Sequence, residues 1–193
     1  VRDKVVGGPP SRTMTVRGNG MRSFGLVVIG LVTLATAAHA APFDVYRAAC
    51  LDTGVDLAKV RAQAAAQKWS ALTDDEREKL SPGNPAAVEG WAIVEGTTRH
   101  LVSISGSTVE GGMTGDRSGS NVTTCGTLSP KSDEKPVAKT YSAYLKRQPS
   151  EDRAEGLATY TWSVQDASNI TYHYLVSGTN MPGLSLSVST IRK

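Results

Sequence analysis

Histidine and cysteine are scarce in this chain, three and two in 193 residues, and neither type clusters. With no CxxC, HExxH or HxxxH spacing, the ligand sets of structural and hydrolytic metal centres are missing, so neither a metal nor a cofactor is expected. A GxSxG nucleophile elbow and a GxxxxGK phosphate loop are absent as well, which counts against the acyl-transfer and nucleotide-binding families that those spacings define. Long apolar runs are also missing. The most apolar, Phe24 to Ala37, falls below the roughly 20 residues a membrane span needs and is interrupted by Gly30 and Thr33.

What that end of the chain does hold is the three-part grammar of a secretory signal peptide, residues 21–40. Arg22 supplies the positive start, Phe24 to Ala37 the apolar centre, and Ala38-His39-Ala40 the small-x-small pattern, with cleavage expected between Ala40 and Ala41. No cysteine adjoins the cut, so a lipid anchor is not expected, and the mature protein should lie in the periplasm or outside the cell without a stable membrane anchor. Residues 1–20, rich in Gly, Pro and Arg without apolar periodicity, read as a disordered upstream segment from a start placed too early, Met21 or Met14 being the better one.

The formal charge of +3 belongs to that discarded end. Residues 41–193 carry sixteen Lys and Arg against seventeen Asp and Glu, a net −1 with the signs dispersed, which leaves no basic stripe for a nucleic-acid partner. These 153 residues suit a single domain with one core. In an oxidising compartment Cys50 and Cys125 are expected to form a disulfide tying the first helix to the sheet.

Along the mature part, Pro42 opens a short helix with Phe43, Tyr46 and Cys50 on one face, stopped by Gly54. Asp56 caps a second helix whose stripe is Leu57, Val60, Ala64 and Trp69, and Thr73 with Glu76 forms the capping box of a third. The period then becomes two. Strands are predicted around Trp91–Ile93 and Leu101–Ile104, joined by a turn at Gly96-Thr97, with further strands on either side of a loop at 111–120. Val137, Tyr141, Tyr144 and Leu145 mark a helix over 137–147, after which QPSEDRAEG reads as an exposed connection. Alternation at 158–164, 170–176 and 184–188 closes the chain as a three-stranded meander. The expected class is α+β: N-terminal helices and one antiparallel sheet of about five to seven strands, with a helix between two strand groups and the helices on one face.

The candidate binding residues are the four rings Tyr160, Trp162, Tyr172 and Tyr174, which cross-strand pairing is expected to gather on one surface. Under a helix they would be core, and uncovered they would bind a partner. His173, alternating away from Tyr172 and Tyr174, is expected on a half-exposed face, and His100 at the edge of a core. Asp116 and Arg117 sit in the glycine-rich 111–120 loop, read as a flexible hairpin with an anion cradle as the alternative.

The stretch FDVYRAACLDTG with Cys50 and Thr53, followed by Glu89-Gly90-Trp91 and the Cys125 strand, resembles small exported bacterial proteins of uncharacterised function. That resemblance implies export and the cysteine pair, and it brings no catalytic residues. Two classes of function follow. The first is a non-catalytic binding or interaction module, an enzyme inhibitor being one case, whose partner is an envelope protein or a small ligand. The alternative is a small periplasmic hydrolase assembled around His173 or His100, which requires one of them in a concave pocket within reach of a Ser, Asp or Glu.

Overall fold

The computed structural model describes residues 41–108 and 119–192. The signal-peptide and upstream readings, Ala40 of the expected cut, and Asp116 and Arg117 lie outside the described residues.

Pro42 has no N–H to leave unbonded in a first turn, and it opens α1 (Pro42–Tyr46). The helix then widens into a π-turn, Arg47–Leu51, in which Asp52 N–H reaches back to the Arg47 carbonyl. Phe43, Tyr46, Ala49 and Cys50 are all buried by this arrangement. Gly54 (φ +69°) and Val55 (φ +57°) end it. A β-branched residue rarely turns left-handed, and here the conformation is held by burial of Val55 in the core. The Asp56 carboxylate accepts from Lys59 N–H to cap α2 (Leu57–Ala66), which buries Val60 and Ala64. Trp69 was expected to extend that stripe. Instead α2 stops at Ala66, Lys68 turns left-handed (φ +55°), and Trp69 packs edge-on against Trp91 at 6.4 Å between centroids. The capping box of Thr73 and Glu76 starts α3 (Asp74–Leu80) as the spacing predicts.

Eight strands follow the pattern of the chain: β1 (Ser70–Ala71), β2 (Glu89–Glu95), β3 (Thr98–Thr108), β4 (Asn121–Ser129), β5 (Ser150–Ala154), β6 (Leu157–Gln165), β7 (Asn169–Gly178) and β8 (Leu184–Arg192). They form one antiparallel sheet in the order β1-β2-β3-β4-β8-β7-β6-β5. Two meanders thus meet at the centre, β4 against β8, and α4 (Glu134–Leu145) carries the chain from that centre to the far edge. The sheet is larger than the five to seven strands expected, because both edge strands lack a hydrophobic signal. The first, β1, is only two residues long, and β5 reads SEDRA with every residue exposed. A charged edge of this kind blocks pairing with another chain.

Helices α1, α2 and α4 cover one face, where Tyr46, Val60 and Tyr141 meet Val102, Ile104, Leu175, Leu186 and Val188. The Cys50–Cys125 disulfide lies within this core with both residues fully buried and Cα atoms 5.6 Å apart, joining the helical start to β4. The expectation that all helices share one face is corrected by α3. Leu72 and Leu80 pack on Ala92, Leu101 and Leu128, and Leu101 and Leu128 are cross-strand partners that alternate away from Val102 and Thr127. α3 therefore covers the β2–β4 end of the opposite face, fastened by Arg99, which donates to Glu76 at 2.8 and 3.1 Å.

Candidate functional site

Register divides the four rings two by two. The β6–β7 turn is closed by Asp166, whose carboxylate accepts from the Ser168 and Asn169 N–H groups, and it pairs Gln165 with Ile170. Every even-numbered residue of β6 then faces an odd-numbered one of β7: Trp162 opposes His173, and Tyr160 opposes Leu175. Cross-strand partners share a face, so Tyr160 and Trp162 lie under the helices while Tyr172 and Tyr174 lie on the other side. The single aromatic surface expected from alternation does not form, because a shift of one residue in register exchanges the faces of a whole strand.

Under the helices, Trp162 is 1% exposed, packs with its ring tilted 38° to that of Tyr141 at 4.6 Å between centroids, and donates its indole N–H to Ser142 Oγ. His173 shares this core instead of standing half-exposed. Its Nδ1 is 2.7 Å from the Tyr141 hydroxyl, which in turn is 2.5 Å from that of Tyr46. Burial lowers the His173 pKa to about 4 and raises those of Tyr46 and Tyr141, so all three are uncharged at neutral pH. His100 Nδ1 is 2.8 Å from Ser129 Oγ, and both residues are 2% exposed. A Ser–His contact is present, but bulk substrate has no access to it.

The buried His173 makes stability depend on pH in a definite direction. Below its ordinary value of about 6.5 the unfolded chain takes up a proton that the folded one refuses until about pH 4. Stability is therefore expected to fall by up to about 3 kcal/mol as pH drops from 6.5 to 4. The carboxyls held low in the fold, Glu76 and Glu89 by Arg99 and Arg61 and Asp166 by backbone N–H groups, add a loss of the same sign from about pH 5 downward, in the lower part of that window. Urea midpoints from pH 4 to 7.5 should slope steeply in the wild type and clearly less in His173→Gln. Equal slopes would remove His173 as the cause.

An open cleft of about 580 Å³ lies at the end of the sheet, among Lys131, Glu134, Arg153, Gly156, Gly178 and Gly183. Its volume suits a small ligand, but its cations are occupied. Arg153 donates to Glu151, Glu134 and the Tyr160 hydroxyl, and Lys131 donates to the Thr179 carbonyl.

The remaining part of the second face, over β3, β4, β8, β7 and β6, has no described helix above it beyond α3. Two cross-strand rows run over it: Thr161, Tyr174, Ser187, Gly126 and Ser103, then Ser163, Tyr172, Ser189, Thr124 and Ser105. Tyr172 and Tyr174 are half-buried and stack on each other at 6.3 Å and 23°. Thr124 and Ser189 share a 2.9 Å hydroxyl contact. Among the residues that these five strands turn to this face, Arg99 is the one charged side chain. These serines and threonines are the part that the sequence reading missed, although the signal is visible in Ser185, Ser187 and Ser189 alternating with Leu184, Leu186 and Val188.

Among the described residues no group of three His, Cys, Asp or Glu is placed to hold a metal ion, and no helix is long and apolar enough to cross a membrane. No protein-family description, no curated protein and no solved structure matches the chain.

Proposed function

We propose that this protein is an exported, non-catalytic binding module of an oxidising compartment, and that its contact surface is the open sheet face centred on Tyr172 and Tyr174. One observation carries the reading: a regular, uncharged surface with two stacked rings is left uncovered by the described helices, while the other face of the same strands is buried. The buried disulfide and the signal-like segment 21–40 favour the compartment. A hydrolytic centre at His100 or His173 has less support, since both rings sit in the core without access to solvent.

The test is capture of envelope material, soluble and insoluble, by the oxidised full chain and by Ser187→Arg, which places a cation in the middle of the face. Material retained by the wild type and lost from Ser187→Arg, with the thermal midpoint unchanged, is the expected result. Retention by both variants would overturn the choice of face, and no retention by the wild type would overturn the binding reading.

A further inference from the structure

We infer that the open face binds an extended, uncharged polysaccharide, with Tyr172 and Tyr174 as its stacking platform and the neighbouring serine and threonine hydroxyls as its hydrogen-bonding rows. The inference rests on the reading of that face as the contact surface and names its ligand.

A pyranose ring has an apolar C–H face and an edge of hydroxyls that both donate and accept. Aromatic rings bury the first at low entropic cost. Serine and threonine answer the second, because each hydroxyl is donor and acceptor at once, whereas lysine and arginine only donate and carboxylates only accept. Both requirements meet here. Tyr174 is flanked by Thr161 and Ser187, and Tyr172 by Ser163 and Ser189, one strand spacing of about 4.8 Å to either side. The two rings are nearly parallel, 6.3 Å apart along β7, so two aromatic groups stand within reach of one extended chain. Beyond Ser187, Gly126 lets β8 approach closely: a Cβ there would stand 3.0 Å from the Leu186 carbonyl and 3.1 Å from Ser187 Cβ.

Charge selects among occupants. A polyanion would need cations, and Arg99, the one on this face, is held by Glu76. A second copy of the chain or another protein would favour an apolar centre with aromatic and arginine anchors, whereas here the apolar residues Ile170, Ile191, Val122 and Val176 flank two central rows of serine and threonine, which are poor anchors for protein partners. The rows match a neutral polyol better than either.

The experiment titrates the oxidised full chain with cellohexaose, xylohexaose and chitohexaose by calorimetry, with polygalacturonate as the charged control and sedimentation velocity alongside. Saturable binding of at least one neutral hexasaccharide is expected. It should weaken about tenfold in Tyr172→Ala and in Tyr174→Ala, as stacked rings do elsewhere, persist in Tyr174→Phe, and be lost in Ser187→Arg. Ser187→Arg leaves both rings in place and so guards against a folding defect in the alanine variants. Three results would each overturn the proposal: no binding of any neutral hexasaccharide, equal binding by the ring variants, or polygalacturonate binding as tightly. Self-association of the wild type that Ser187→Arg abolishes, without glycan binding, would make the face an interface between copies and overturn it too. If the glycans fail while Ser187→Arg still loses envelope material, the ligand class falls and the binding module stands. If both fail, neither reading survives.

Discussion

Breaking the Cys50–Cys125 bridge is expected to lower the thermal midpoint by roughly 10 °C. The bond closes a loop of 75 residues, for which loop-closure entropy of the unfolded chain gives about 4 kcal/mol, and a domain of this size shifts by about 2–4 °C per kcal/mol. The position adds to the effect. Both sulfurs lie in the core between the π-turn and the centre of the sheet, so freeing them also loosens the seat of Phe43 and Tyr46. Calorimetry of the Cys50→Ala/Cys125→Ala double variant, beside the wild type with and without reductant, measures the shift. The reductant arm alone is insufficient because both sulfurs are buried. An unchanged midpoint, together with two titratable thiols in the untreated protein, would sink the prediction.

The second large effect is expected at Trp162. Trp162→Ala removes a ring that is 1% exposed, packed against Tyr141 and hydrogen-bonded to Ser142, and should destabilise by about 4 kcal/mol. Tyr174→Ala, on a neighbouring strand but on the other face, should cost about 1 kcal/mol. Denaturant midpoints of the two variants form a direct test of the β6–β7 register. A pairing shifted by one residue would turn Trp162 outward, leave Tyr174 on the open face through its pairing with Ser187, and remove the difference between the two losses.

Much of the fold was legible because its signals are local. The Thr73–Glu76 box, the Asp56 cap, the Gly96-Thr97 turn and the closing meander all rest on residues within a few positions of one another. The disulfide followed from having only two cysteines. What escaped detection depends on partners distant in sequence. SEDRA becomes a strand because Glu151 and Arg153 are held against Tyr160 and Ala158, which no apolar alternation within β5 announces. The helix α3 lands on the second face because Leu101 and Leu128, separated by the whole β3–β4 excursion, pair to make a platform for Leu72 and Leu80. The candidate site was half visible. Its rings were identified, but which of them share a face depends on the single pairing of Gln165 with Ile170, and the hydroxyl rows come into view only when three strands are laid side by side.

The order of strands also makes the two halves of the sheet depend on one strand. β8, the last described strand, occupies the middle of the sheet with β4 on one side and β7 on the other. Without it the first meander ends at an unpaired β4, and the second, β5 to β7, ends at an unpaired β7. Pairing of β8 therefore closes both open edges at once, and those edges are where strands of other chains could otherwise add. Deletion of β8 would deprive the molecule of its central seam, whereas loss of β1 would remove only a two-residue rim.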